Sequence, residues 1–194
     1  MALKPTALDD LAQLVLACVC AALDETAAKV DGQPGCPDCR TCVVAGAPAW
    51  DDCDSPCDGG SGGQLTVNIS RMYPTTNFPT EDREVRGLRT CTPPPLTAVD
   101  VVVTLLRCVP TTDEGGCAPT CGELAEAARV IHIDAVTVYN AMLCCFPTTG
   151  TRRRGQRYVL GQSRILDPQG GCGGIEQRIT VALDGCGCPT EPPP

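Results

Sequence analysis

The stretch Leu96–Pro110, LTAVDVVVTLLRCVP, limits the possible folds more than any other part of the chain. Val101, Val102 and Val103 follow one another with no polar alternate. Successive strand residues point to opposite faces, so such a run needs cover on both and belongs in the middle of a sheet. A second strand precedes it. In QLTVNISRMY (64–73), Leu65, Val67, Ile69 and Arg71 fall on one face, and Thr66, Asn68, Ser70 and Met72 on the other, the pattern of a half-buried strand. Two more alternating runs, RYVLGQSRIL (157–166) and IEQRITVAL (175–183), flank DPQGGCGG (167–174), which reads as the glycine-rich turn of a hairpin. A short strand is expected at Cys42–Ala45, ended by Gly46 and Pro48.

Two segments carry a helical period. Near the N-terminus it is Leu8, Leu11, Leu14, Val15, Cys18, Val19, Ala22 and Leu23, with Thr6 and Asp9 placed as a capping box with the shorter acid. This stretch imitates a secretory leader, since Lys4 precedes an apolar run. Asp9 and Asp10, however, stand where a leader carries positive charge, and the run is too short to span a bilayer. It reads as an amphipathic helix of a protein made in the cytoplasm. The second helix opens on the capping box Thr120/Glu123, continues through Leu124, Ala128, Ile131, Ala135, Val138 and Met142, and stops at Pro147. Pro74–Pro95 is a long proline-bounded excursion of the kind that binds partners.

The order helix, short strand, strand, strand, helix, strand, strand predicts an α+β fold: an antiparallel-rich mixed sheet with both amphipathic helices packed on one face. The other face of the middle strand asks for cover from a neighbouring subunit. Residues 1–188 read as a single domain with a cysteine-rich loop over 35–63, and 189–194, PTEPPP, as a disordered tail.

Catalytic machinery is not evident. The only histidine, His132, sits mid-helix between two isoleucines and reads as a core-edge or surface residue. No nucleophile elbow, HExxH, phosphate loop or dinucleotide fingerprint occurs, so no enzyme and no cofactor are expected. A formal net charge of −8 disfavours general binding to nucleic acid. The exception is TRRRGQR (151–157), where Arg152, Arg153 and Arg154 read either as a solvated hairpin tip or as a contact to an acidic partner.

Sixteen cysteines are the remaining peculiarity. Cys36, Cys39, Cys42, Cys53 and Cys57 cluster around Trp50, and Cys117/Cys121, Cys144/Cys145, Cys186/Cys188 and Cys172 recur later. Three chemistries fit the first cluster: disulfides formed after release from the cell, free thiols, or zinc held by Cys36, Cys39, Cys53 and Cys57. The adopted expectation is at least one bridge within the cluster, with no metal. Cys117, Cys121, Cys172, Cys186 and Cys188 are further disulfide candidates. Cys18, Cys20, Cys108, Cys144 and Cys145 fall in periodic segments and read as small core hydrophobes. Asp38, Asp51, Asp52 and Asp54 make the cluster electronegative, which argues against a reactive low-pKa thiol.

GGQLTVNISRMYPTTNFP (62–79), TAVDVVVTLLRCVP (97–110), DAVTVYNAMLCC (134–145) and LDPQGGCGGIEQRITVAL (166–183), closed by CGC at 186–188, together resemble tail-terminator or neck proteins of actinobacterial siphophages. The resemblance implies a small ring-forming subunit, six-fold, that caps the tail tube and joins it to the head connector. Its implied partners are other copies of itself, the tail tube protein, the connector protein and the DNA passing through the lumen. Its implied location is the virion, with no membrane involved. An acidic lumen would let DNA slide. A head–tail connector or head-completion ring, and more distantly a zinc or thiol redox protein, are the alternatives.

Overall fold

The computed structural model describes residues 3–38, 40–48, 62–83, 96–112, 116–146, 157–169 and 171–184. Among them are α1 (Ala7–Ala27), β1 (Thr41–Val43), β2 (Gln64–Thr75), β3 (Leu96–Cys108), α2 (Cys121–Cys144), β4 (Tyr158–Gln169) and β5 (Cys172–Asp184). The strands form one five-stranded sheet in the order β1-β2-β3-β5-β4. β1 runs parallel to β2, and every other neighbouring pair is antiparallel. The fold is α+β, with a mixed sheet and two helices.

β3 lies at the centre, as its valine run requires. Its odd-numbered residues line up with neighbours in rows across the sheet, Ile69–Val101–Ile179 and Leu65–Leu105–Ile175. These rows pack against Leu11, Val15, Val19 and Leu23 of α1 and Ile131, Val138 and Met142 of α2 in one core. Each such side chain contributes roughly 1.5–3 kcal/mol on burial. The helices therefore share one face: α1 lies over β1 and β2, and α2 over β5 and β4.

The opposite face of β3 does not wait for a second subunit. Ala98, Val102, Thr104 and Leu106 are all buried within the single chain. The segment Ala45–Pro48, which leaves β1, borders a cavity of about 350 Å³ together with Asn68, Val102 and Thr104. Small and polar residues on that side let one connecting segment come close, so the expected subunit cover is unnecessary there.

Several local expectations also need correction. β1 is Thr41–Val43 rather than Cys42–Ala45. Thr6 makes no side-chain cap; it sits in helical φ/ψ and its hydroxyl donates to Asp10 instead. Leu14 and Leu124 are exposed, although both fit the helical period. In α2 the first fully buried residue is Ile131, and before it only Ala127, Ala128 and Val130 are half-buried. Arg71 does not share a face with Ile69. Ile69 pairs with Val101 and Arg71 with Asp100, so the chain bulges at Ser70 and Arg71 turns away from the helices to meet Asp100 at 2.9 Å. DPQGGCGG is not all turn: β4 continues to Gln169 and β5 begins at Cys172. Gly173 and Gly174 are strand residues with no room for a side chain: a Cβ on Gly174 would lie 1.9 Å from the Leu105 carbonyl oxygen of β3, and one on Gly173 2.8 Å from the Val109 side chain. Gly63 flanks β3 from the other side at φ +103, with the Leu106 carbonyl 2.2 Å from where a Cβ would be. Of Pro74–Pro95, residues 74 and 75 extend β2 and 76–83 fold back on it, Tyr73 donating to the Pro79 carbonyl at 3.0 Å; 84–95 lie outside the described residues.

Candidate assembly surfaces and a buried polar cluster

α2 carries a second stripe that the core does not use. Val136, Tyr139 and Leu143 repeat at helical spacing and are 61%, 44% and 42% exposed. Tyr158 joins this stripe to β4: its hydroxyl donates to the Leu143 carbonyl at 2.9 Å and its ring lies 5.3 Å from that of Phe146. Beyond it, Val159 and Ile165 are also exposed. They do not share a face: Val159 pairs with Thr180 on the side of the sheet away from the helices, and Ile165 with Ile175 on the helix side, so the continuous exposed stripe is that of α2.

β4 is an edge strand, and it is an interrupted one. Its register with β5 shifts between Leu160 and Ser163 and again between Leu166 and Gln169, and Pro168 removes a donor. The first shift is held from below by Gln177, which is fully buried and donates its side-chain amide to the Gly161 carbonyl at 3.1 Å. Bulges and proline blunt an edge against strand addition. This surface is therefore suited to docking through side chains rather than through a continuous β-ladder.

The second construction is buried and charged. Arg107, at the end of β3, and Asp134, in the middle of α2, are 4% and 1% exposed. The guanidinium donates to the carboxylate from Nε at 2.8 Å and from Nη2 at 3.2 Å, and Nη2 also donates to the Gly35 carbonyl. Gln33 adds a donor to Asp134 at 2.5 Å. One ion pair therefore joins β3, α2 and the α1–β1 connection, where its removal from water is offset by mutual attraction and these extra hydrogen bonds. Two atoms of this cluster remain without hydrogen-bond partners among the described residues, Arg107 Nη1 and Gln33 Oε1. Arg107 also lines a cavity of about 450 Å³ with Pro34, Pro110, Glu123, Glu126, Ala127 and Val130. Glu123 closes the capping box of α2, accepting from the Thr120 backbone and hydroxyl, and those bonds hold its carboxyl below the usual 4.5.

The cysteines are arranged differently from expectation. Cys18 is bridged to Cys145, and Cys20 to Cys36. Three residues read as core hydrophobes are thus disulfide partners, because α1 lies between the end of α2 and the segment that follows α1 itself. Cys36 is bridged to α1 and not to a member of its own cluster, so its sulfur is no thiolate for zinc. Cys42 and Cys121 carry free thiols, as does Cys144; Cys42 faces solvent from a short edge strand and Cys121 from the exposed first turn of α2. Cys172 is buried and disulfide-bonded, and Cys117 and Cys108 are exposed. Cys39, Trp50, Cys53, Cys57, Cys186, Cys188, Arg152, Arg153, Arg154 and the tail 189–194 lie outside the described residues.

Sequence reasoning missed Arg107, Asp134 and the exposed stripe. A signal for the first two existed, since each is a charge inside an otherwise apolar periodic run. Among the described residues no three His, Cys, Asp or Glu side chains are grouped to hold a metal ion, and no helix is long and apolar enough to cross a membrane. No family model matches this chain, and no curated protein matches it in sequence.

Proposed function

We propose that this chain is a structural virion subunit, a siphophage tail terminator without catalytic activity. Copies of it form a ring, six-fold as the resemblance implies, which caps the tail tube and joins it to the head connector around the passing DNA. The observation that carries this reading is the exposed apolar stripe of Val136, Tyr139 and Leu143 on α2. Large apolar side chains in one exposed helical stripe mark an interaction surface, and the bulged edge of β4 disfavours strand addition. The acidic balance of the chain suits a DNA conduit, because it does not retain phosphates.

The test is the triple substitution Val136→Ser, Tyr139→Ser, Leu143→Ser. All three side chains are exposed, so circular dichroism and the melting transition should stay close to wild type. Sedimentation should then show the ring replaced by smaller species, and particles carrying the variant should fail to join tails to heads. A variant that assembles and joins like wild type counts against the reading.

A further inference from the structure

The face of the sheet turned away from the helices holds a cavity whose floor is both buried and polar. In β2, Leu65 and Val67 belong to the helix-side core. The alternate residue Asn68 therefore stands on the other face, opposite Val102. Thr104 follows Val102 by two positions and shares that face. Asn68, Val102 and Thr104 are 6%, 6% and 4% exposed. All three line the cavity of about 350 Å³, which is bordered by Ala45–Pro48 and by Leu166, Glu176 and Arg178.

The polar groups of this floor are open. Among the described residues neither the Asn68 amide nor the Thr104 hydroxyl makes a side-chain hydrogen bond. Thr66, directly opposite Thr104, is 1% exposed, and its hydroxyl also has no partner. Buried polar side chains are nearly always hydrogen-bonded. Open ones on the floor of a cavity therefore mark a place for an occupant that completes them.

The floor also defines the chemistry of that occupant. An amide offers two donors and an acceptor, and a hydroxyl offers one donor and accepts as well. The occupant must both donate and accept at neighbouring positions, which hydroxyl groups do and a carboxylate or an ammonium does not. Glu176 and Arg178 pair with each other at 2.9 Å, so the walls carry no net charge to select an ion. Val102, between the two polar groups, and Leu166 beyond them add aliphatic surface, and no aromatic ring lines the cavity among the described residues. Asn68 and Thr104 are diagonal neighbours, with Cβ atoms about 7 Å apart. One ring bearing several hydroxyls and a C–H face spans that distance. The volume is at the lower end of small-molecule sites, which suits a single ring.

We infer that this cavity binds one neutral sugar ring on the floor formed by Asn68, Val102 and Thr104. The site lies on the opposite side of the sheet from the stripe of α2, and it does not depend on the ring reading above.

The test uses the full chain in whatever assembly it forms. Glucose, galactose and N-acetylglucosamine are the neutral probes, with glucuronate and glucosamine as charged counterparts. Saturation-transfer NMR should show at least one neutral sugar binding saturably, with a Kd of about 1 mM. Asn68→Leu and Thr104→Val remove the polar atoms at nearly constant size. Each should weaken that binding about tenfold and leave the melting temperature at or above the wild-type value, because it removes a buried polar group that the chain leaves open. No saturable binding of any neutral probe overturns the site. Tighter binding of glucuronate or glucosamine overturns the neutral class, and variants that bind like wild type overturn the floor. If both variants melt well below wild type, the chain already engages these groups itself, and the inference falls.

Discussion

Opening the Cys18–Cys145 bridge by replacing both residues with alanine should destabilise the fold more than opening Cys20–Cys36 in the same way. The two bridges span 127 and 16 residues of sequence. In the chain-entropy treatment they restrict the unfolded chain by about 5 and about 3 kcal/mol at 25 °C, so loop length alone sets a difference of about 2 kcal/mol. The shorter loop lies inside the longer and shortens it by only about a tenth, so the two values are nearly independent. For a chain of this size about 2–4 °C of melting temperature accompanies each kcal/mol, which predicts losses of about 10–20 °C and about 6–12 °C. Variants are preferable to a reductant, because reduction would also open the disulfide of Cys172. The free thiols, Cys144 beside Cys145 above all, should be alkylated first to prevent exchange. Scanning calorimetry and urea unfolding read the result. If Cys20→Ala/Cys36→Ala loses as much as Cys18→Ala/Cys145→Ala, or if the latter loses under about 1 kcal/mol, the loop-closure reasoning fails. The scale also bears on assembly: together the bridges approach the whole stability of an ordinary domain, about 5–15 kcal/mol. In a reducing compartment the chain would have to fold by packing and its buried ion pair alone.

Asp134→Asn should cost about 3–5 kcal/mol, because it leaves Arg107 buried without its counter-charge; Arg107→Met/Asp134→Leu should recover most of that loss in urea unfolding. A double variant no more stable than the single would show that the charges hold the α1–β1 connection in a way apolar packing cannot replace. Glu123 titrates below 4.5 in the folded chain because of its Thr120 bonds, so its contribution is full above that value and is lost as pH falls through the lowered one. Carboxyl NMR should place its titration below 4.5 and show the amides of residues 121–124 exchanging faster under more acidic conditions; a titration at or above 4.5 refutes the cap's role.

The skeleton of the fold was legible because it depends on period. The valine run of β3 could only be central, and the alternation of β2, β4 and β5 could only be strand, so the element order follows from side-chain spacing. Where a single residue interrupts the period, the reading broke. Nothing in QLTVNISRMY announces that Ser70 bulges; Arg71 leaves its expected face because Asp100 waits on the other side of β3. Glycines were read as turn residues by composition, yet Gly173 and Gly174 are in a strand, and the Leu105 backbone leaves no room for a Cβ on Gly174. That constraint exists only once β3 is in place.

The cysteines show the same limit from another direction. Local spacing suggested partners within Cys36–Cys57, but a bridge requires Cα atoms within about 7 Å, and nearness in sequence is a poor guide to that. Antiparallel packing of α1 on α2 sets Cys18 against Cys145, and the return of the chain after α1 sets Cys36 against Cys20. Arg107 and Asp134 likewise meet across 27 residues of sequence. A charge within an apolar run signals that a partner must exist, since an unpaired buried charge costs several kcal/mol. Which partner it takes is a property of how β3 and α2 pack. The exposed stripe of α2 is the complementary case: Val136, Tyr139 and Leu143 lie on a helix that already buries Val138 and Met142. Two apolar faces on one amphipathic helix cannot both be its core face, so the second stays exposed.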